Sequence, residues 1–279
     1  MKASMLVARV FPTKTSMSPT DKDSYFGAPD LFTPKYDEVH ISIAFTWDLW
    51  KLNNLCKEWQ RFGKIRFGGP AFNDPGNKFV SGMYLKTGVT ITSRGCPNNC
   101  GFCFVPKREG RLRELPIVPG NIIQDNNLLA CSKSHIDKVF SMLKAQRHID
   151  FAGGFEAARV TDEIVEQLRG LKIHQIWLAY DNPGVDKPLK TAVNRLSKYF
   201  GDRQIRTYVL IGYKDDTIER AEIRLRHVYE IGSLPFAMLY RDEKNLPHTK
   251  EWKQFQRKWV RASIIRARMK NTPPSKKDT

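Results

Sequence analysis

Acidic residues are scarce in this sequence. Its 279 residues contain 29 Asp and Glu against 46 Lys and Arg, a formal net charge of +17. Such an excess carries no information about fold, but it favours polyanionic partners, with a merely solvated basic surface as the alternative. Long apolar runs are also missing, since none approaches the roughly 18 residues that a membrane span needs. The N-terminal stretch is interrupted by Arg9 and does not have the pattern of a signal peptide. We therefore expect a cytoplasmic protein without a membrane partner.

Cysteine is scarce and unevenly placed. The chain has five cysteines, three of which fall between residues 96 and 103. An odd number with this crowding, in a reducing compartment, indicates metal binding rather than disulfides. Cys56 lies beside the apolar stripe of a predicted helix and is expected in the core. Cys131 is expected to be a buried thiol, with a catalytic thiol as the alternative.

The alternation of apolar segments divides the chain into three predicted regions. Residues 1–87 form an N-terminal α/β cap, with a loop over 12–39, a strand over 39–45, a helix over 47–62 and a strand over 64–67. Strands and helices alternate through residues 88–240, which predicts parallel strands with right-handed crossovers. About six such units form an incomplete (β/α)6 TIM-type barrel. Residues 241–279 form a basic C-terminal helical tail.

That tail contains twelve Lys and Arg and four Asp and Glu, a net charge of +8. One helix is predicted over residues 250–269, because Trp252, Phe255, Trp259 and Ile264 recur at near-helical spacing. The helix either docks through this aromatic face with a solvated basic back, or contacts nucleic acid.

The stretch from Thr92 to Pro106 contains Cys96, Cys100 and Cys103 in the spacing C-x₃-C-x₂-C. Three thiolates so close together can converge on one metal centre, and the intervening Gly, Pro and Asn residues permit tight turns. Thiolates suit both iron–sulfur clusters and zinc. A structural zinc site needs four protein ligands, whereas three cysteines on a four-iron cluster leave one iron open. A zinc knuckle remains the alternative.

This motif, at the end of a first barrel strand and with aromatic Phe102 before the third cysteine, resembles the radical S-adenosylmethionine (SAM) superfamily over residues 88–240. The resemblance implies that Cys96, Cys100 and Cys103 hold a [4Fe–4S] cluster. It implies further that the methionine amino and carboxylate groups of SAM bind the open iron. Reductive cleavage would then give a 5′-deoxyadenosyl radical that modifies a substrate.

The same resemblance implies cofactor-binding residues outside the cysteine motif. Polar groups after the second strand would meet the methionine end of SAM, an acid and an arginine after the third would meet the ribose or the carboxylate, and the fifth strand would flank adenine. In this sequence the matching positions, together with the residue near adenine in the cysteine loop, are Phe102, Asp125, Asn127, Glu156, Arg159 and Gly212. Asp181 follows the fourth strand, where a functional carboxylate or a turn residue is expected. No catalytic residue is assigned.

Residues 37–71 resemble a degenerate cobalamin-binding, Rossmann-like segment, chiefly through the strand at 39–45 and the sequence Gly-Gly-Pro-Ala at 68–71. The Asp-x-His-x-x-Gly signature that ligates cobalt is absent from the chain, so we expect no cobalamin. A small structural cap is the simpler interpretation.

Three functions stay open. The first is a radical SAM enzyme acting on nucleic acid, and the second is one acting on a peptide or small molecule. In the second, the positive charge would serve an acidic electron donor such as a flavodoxin or ferredoxin. The third is a non-catalytic, metal-stabilised nucleic-acid-binding protein, supported by the aromatic and basic residues of the tail.

Overall fold

The computed structural model describes residues 5–74, 78–243 and 248–270. It is an α/β structure with parallel sheets. The chain divides into two compact units. The first unit comprises the described part of residues 1–126 together with residues 242–243, and the second comprises the described part of residues 127–241 together with residues 248–270. The segment 88–126, which contains the cysteine motif, thus belongs to the same unit as the predicted cap.

The first unit is built on a four-stranded parallel sheet. Its strands, in the spatial order β2-β1-β3-β4, are β1 (Val7–Phe11), β2 (Ser24–Phe26), β3 (Glu38–Ser42) and β4 (Lys64–Gly68). Helix α1 (Leu52–Trp59) follows a 3₁₀ turn over Thr46–Lys51 and buries Leu55 and Trp59. Trp59 is fully buried in the core of this sheet, and its indole nitrogen donates to the carbonyl of Gly27 at 2.9 Å.

The predicted cap is missing two of these strands, β1 and β2. The expected loop over residues 12–39 is wrong at β2, which pairs with β1 in the parallel register Phe11↔Phe26. The predicted helix over 47–62 is a 3₁₀ turn followed by a shorter α-helix. Strand β1 was not predicted. A three-residue strand such as β2 has too few residues to show a periodicity, so its pairing partner decides its conformation.

The rest of the first unit carries the cysteine motif. Strand β5 (Val89–Thr90) pairs in parallel with β8 (Ile122–Ile123), while β6 (Ser93–Arg94) pairs antiparallel with β7 (Arg113–Glu114). The cysteines lie between β6 and β7, followed by the short helix α2 (Val105–Arg108). The sequence predicts the second barrel strand over residues 122–129. The strand ends at Ile123, and Leu128–Ala130 forms a 3₁₀ turn.

The second unit alternates helices with strands. In chain order these are α3 (Lys133–Lys144), β9 (Ile149–Phe155), α4 (Asp162–Arg169), β10 (Ile173–Tyr180), α5 (Asp186–Leu196), β11 (Ile205–Ile211), α6 (Ile218–Glu230), β12 (Leu234–Leu239), α7 (Lys250–Arg257) and α8 (Ala262–Lys270). Its four strands are parallel, in the order β12-β11-β10-β9. The predicted alternation is therefore confirmed for this part of the chain.

Side-chain caps determine where several of these helices begin. The sequence predicts a cap at Thr161 and a helix start within residues 216–219. Thr161 accepts a hydrogen bond from the backbone of Ile164, and Thr217 accepts one from Arg220. The sequence Ser-His-Ile-Asp at 134–137 predicts a helix that begins at Ser134. That start is wrong, because Ser132 is the cap and accepts from the backbone of His135. Both serines precede the same apolar stripe, so the sequence did not distinguish them.

The basic tail contains two helices rather than one. Helix α7 ends at Arg257 and α8 begins at Ala262. Between them the carbonyl of Trp259 accepts a hydrogen bond from Ala237 of β12 at 3.0 Å, and the Trp259 indole donates to Glu222 at 3.0 Å. These bonds hold Trp259 fully buried at the point where the helix is interrupted. Residues 244–247 and 271–279 of the predicted tail lie outside the described residues. In the described part of the chain, no helix combines the length and the apolar character needed to cross a membrane.

Candidate metal and cofactor site

The loop that carries the three cysteines is anchored by Asp125. One oxygen of this carboxylate accepts from the backbone nitrogen of Thr92 at 2.6 Å, and the other accepts from the hydroxyls of Thr92 and Ser93 at 2.6 and 2.8 Å. Asp125 is 2% exposed. Burial raises the pKa of this carboxyl, while the bonds from Thr92 and Ser93 oppose the rise. Asp125 therefore ties β8 to the segment entering the loop.

Gly95 forms the last turn before the first cysteine. Its φ is +77°, and a Cβ built on it would lie 2.2 Å from the carbonyl oxygen of Arg111, so only glycine fits. Its backbone nitrogen donates to the side chain of Asn126 at 3.0 Å. Arg94, one residue earlier, pairs with the carboxylate of Glu109 at 3.1 Å. The chain is thus held on both sides as it reaches Cys96.

The loop beyond this point presents the thiols at half-buried positions. Cys96, Cys100 and Cys103 are each partly exposed and form no disulfide. The backbone nitrogen of Cys103 donates to the carbonyl of Cys100 at 2.9 Å. This hydrogen bond closes a tight turn between the second and third cysteines. Phe102 lies within this turn and is also half-buried.

The donor set suits a thiolate-ligated iron–sulfur cluster in kind, because three cysteines on a constrained loop leave one cluster iron open. Within the described ranges, no group of three His, Cys, Asp or Glu side chains is assembled that could hold a metal ion. The fit therefore lies in the chemistry of the thiols and in the fixed entry to the loop, rather than in a gathered set of ligands.

The second unit brings three further predicted residues together. The side-chain nitrogen of Asn127 donates to Glu156 Oε2 at 2.8 Å, and Arg159 Nε donates to the same oxygen at 2.8 Å. Asn127 is buried, whereas the side chains of Glu156 and Arg159 are 29% and 40% exposed. Glu156 directly follows β9, so this group lies at the carboxyl end of that strand. Parallel α/β folds place ligands at this end.

Gly212 directly follows β11, as predicted, and Asp181 directly follows β10. The backbone nitrogen of Gly212 donates to Asp216 at 2.8 Å, and an added Cβ would lie 2.9 Å from Leu239. Burial raises the pKa of Asp181 to about 6. A carboxyl that titrates near neutrality can exchange a proton under physiological conditions. Both residues therefore lie at the carboxyl ends of strands in the second unit, where parallel α/β folds place ligands.

The two cysteines outside the motif, Cys56 and Cys131, are partly buried and buried, respectively. Cys131 is buried at the end of the 3₁₀ turn over Leu128–Ala130, and Cys56 is partly buried on α1 beside Leu55. Burial raises the pKa of the Cys56 thiol, which fits packing rather than reactivity.

Sequence analysis missed the residues that hold the loop. Thr92 and Ser93 were visible only as polar residues before the motif, and Glu109 and Asn126 carry no motif of their own. A pair of hydroxyl residues a few positions before the first cysteine is the signal that was available. It acquires meaning only with Asp125, 33 residues further along the chain from Thr92.

Comparison with models of known protein families finds no match for this chain, and comparison with curated protein sequences finds none either.

Proposed function

We propose that the chain is a radical SAM enzyme: Cys96, Cys100 and Cys103 hold a [4Fe–4S] cluster, and the protein uses it to cleave SAM reductively and modify a substrate. The observation that carries the proposal is the C-x₃-C-x₂-C loop, entered through Gly95 and anchored by the buried Asp125. An incomplete (β/α)6 barrel with a small N-terminal cap belongs to the same proposal, supported by the parallel strands of each unit. When bound, the cluster supplies an open iron and the electron for SAM cleavage.

The chain's own residues have distinct tasks in this proposal. The bonds of Asp125 and the turn at Gly95 limit the motion of the cysteine loop, so that the thiols need less ordering when they bind iron. Asn127 offers a polar group to the amino end of SAM, and Glu156 and Arg159 are assigned to its ribose or carboxylate. Phe102, the apolar strand β11 and Gly212, which follows it, are assigned to the adenine.

The positive charge is assigned to an acidic partner, either nucleic acid as substrate or a flavodoxin- or ferredoxin-like donor. Lys253, Arg257 and Arg261 are exposed. Arg266 and Arg268 are instead paired with Asp202 at 3.3 Å and Glu222 at 2.9 Å. Only part of the tail charge is therefore available to a partner, and electrostatic attraction by the exposed part favours both candidates alike.

A non-catalytic nucleic-acid-binding function has less support. Its basis was the set of aromatic residues in the tail, which would stack on bases. Phe255 and Trp259 are 5% and 0% exposed, and Trp252 packs edge-to-face on Phe255 with ring centroids 6.0 Å apart. Because two of these rings are buried in their own unit, they cannot serve as a stacking platform.

The deciding experiment is anaerobic reconstitution with iron and sulfide, followed by reduction with dithionite in the presence of SAM. We expect about four irons per chain and release of 5′-deoxyadenosine. Cys96→Ala, Cys100→Ala and Cys103→Ala should each abolish both, because a four-iron cluster with two protein ligands is poorly held. Cys56→Ala is the matched control and should keep both. A colourless protein that binds zinc, or single variants that retain iron and activity, would contradict the proposal.

A further inference from the structure

The first unit contains a cavity of about 420 Å³, and all its lining residues belong to that unit. Its floor is formed where three parallel strands end. Phe11 is the last residue of β1, Ser42 the last of β3 and Gly68 the last of β4. The segment from Lys78 to Leu85 supplies a side wall. The volume is in the range of roughly 300–1,000 Å³ that small-molecule sites occupy.

The position of the cavity follows from the order of the strands. The chain forms β1, places β2 on one side of it and then places β3 on the other side, giving the order β2-β1-β3-β4. The direction of winding thus changes between β1 and β3. In open parallel sheets, ligands bind outside the carboxyl ends of the strands at such a switch point, because the loops there diverge and leave a crevice.

Aromatic rings form much of the lining. Phe45, Phe67, Phe79 and Tyr84 all contribute to it. Tyr84 is fixed by a 2.7 Å hydrogen bond with His40 Nδ1 and stacks on that ring. Phe67 and Tyr84 are 58% and 42% exposed, so large apolar surfaces face solvent at the cavity. Exposed apolar groups concentrated around a crevice are typical of a ligand site, and aromatic walls favour a planar ligand.

Positive charge outweighs negative charge in the same lining. Arg66, Lys78 and Arg94 contribute to it, while Asp74 is the single carboxylate among the described residues that line the cavity. Arg94 is already paired with Glu109 at 3.1 Å, so Arg66 and Lys78 are the cations assigned to a ligand. Arg66 is positioned from behind, since its Nε donates to Glu38 at 2.7 Å. Glu38 also forms a hydrogen bond with His40 at 2.8 Å. The hydrogen bond to His40, followed by the one from Arg66, holds the pKa of Glu38 below its usual value. The cation is thereby fixed beside the aromatic wall.

We propose that this cavity binds a small planar aromatic anion of about the size of a nucleoside monophosphate, with the ring between the aromatic side chains and the anionic group near Arg66 and Lys78. The site requires neither an iron–sulfur cluster nor SAM. Its failure and the failure of the proposed function are therefore separable. Most of its lining lies in residues 1–87, the predicted cap, and Ile91 and Arg94 come from the segment that follows.

The test uses the 279-residue chain without a cluster and two fluorescent probes of similar size. One is the anion 8-anilinonaphthalene-1-sulfonate, and the other is its neutral analogue N-phenyl-1-naphthylamine. We expect saturable binding of the anion with one site per chain, and at least about fivefold weaker binding of the neutral probe. Ala44 is exposed and lines the cavity, so Ala44→Trp should occupy the space and weaken anion binding by about tenfold or more. Lys78→Gln should weaken it about threefold or more and reduce its dependence on salt.

Matched controls are Ala267→Trp on α8 and Lys57→Gln on α1, both at exposed positions; each should leave probe binding unchanged. Phe67→Ala removes an exposed ring without opening the core, and tests the aromatic wall if Ala44→Trp fails to fold. Far-UV circular dichroism monitors the fold of every variant. Non-saturating binding, equal binding of the neutral probe, or unchanged affinity in the folded cavity variants would overturn the proposal.

Discussion

The carboxylate of Asp125 receives hydrogen bonds from both the backbone nitrogen and the hydroxyl of Thr92, each at 2.6 Å. Thr92 and Ser93 directly precede the segment that leads into the cysteine motif, so a single buried side chain determines the start of the loop.

Replacing Asp125 should separate its hydrogen-bonding role from its charge. Asp125→Ala leaves the backbone N–H of Thr92 buried without its acceptor, which should cost about 3 kcal/mol in the free energy of unfolding. Asp125→Asn keeps an acceptor for that group and should cost about 1 kcal/mol. Urea unfolding followed by tryptophan fluorescence measures both. Asp215→Ala, at an exposed position, should have no effect, and equal losses for the two Asp125 variants would argue against this role.

Gly95 and Gly110 provide a matched pair in the same loop. Both have positive φ, +77° and +72°, but a Cβ at Gly95 would lie 2.2 Å from Arg111 O, whereas at Gly110 nothing lies within 4 Å. Gly110→Ala should therefore cost only the backbone term of about 1 kcal/mol. Gly95→Ala should cost about 3 kcal/mol and lower the iron content after reconstitution, because the loop must move. Similar unfolding free energies and iron contents in the two variants would count against a fixed entry to Cys96.

Asp181 should make stability depend on pH. Its folded pKa of about 6 lies above the ordinary Asp value of 3.8, so the unfolded chain loses this proton at lower pH than the folded one. The stability contributed by the protonated group is complete below about pH 4 and is lost as the pH rises to about 6. Asp181→Asn should therefore stabilise the protein by about 1–2 kcal/mol at pH 8 and change little at pH 4. Thermal melting at the two pH values measures this, with Asp215→Asn as the control.

Changes in the group formed by Asn127, Glu156 and Arg159 should alter the affinity for SAM and leave the iron content unchanged. Glu156→Gln keeps the shape of the side chain but removes its charge. Hydrogen bonds from the ribose hydroxyls would then go to a neutral amide instead of a carboxylate, so SAM binding should weaken by about fivefold or more. Equilibrium dialysis of SAM with the reconstituted protein measures the affinity. Iron content should not change, and loss of iron without loss of SAM affinity would place this group elsewhere in the mechanism. Glu166→Gln, on the exposed side of α4, is the control.

Substitutions in the basic tail should show whether its exposed charges bind nucleic acid or an acidic electron donor. Replacing Lys253, Arg257 and Arg261 by Gln removes three exposed charges. If they bind phosphates, the log–log dependence of nucleic-acid binding on salt should become flatter by roughly 0.7–0.9 for each phosphate that is no longer neutralised. A slower reduction by a flavodoxin-type donor, with unchanged nucleic-acid binding, would assign the tail to the donor. Gln at Lys187, Lys190 and Lys198 removes the same charge from exposed positions on or near α5 and should affect neither.

The sequence by itself determined features that depend on residues close together in the chain, such as helix caps, apolar periodicity and the cysteine spacing. The cap at Thr161 and the helix start within residues 216–219 were predictable because each cap bonds a residue three positions further on. The alternation of strands and helices in the second unit followed from apolar periodicity. The spacing of Cys96, Cys100 and Cys103 was equally visible. Tertiary structure alone decided the contacts between distant residues. Asp125 meets Thr92 across 33 residues, and the Trp259 carbonyl meets Ala237 at the break between α7 and α8. The cavity joins residues from Phe11 to Arg94. Such contacts leave no periodic signal, because they depend on which strands pair, and pairing satisfies backbone groups far apart in the chain.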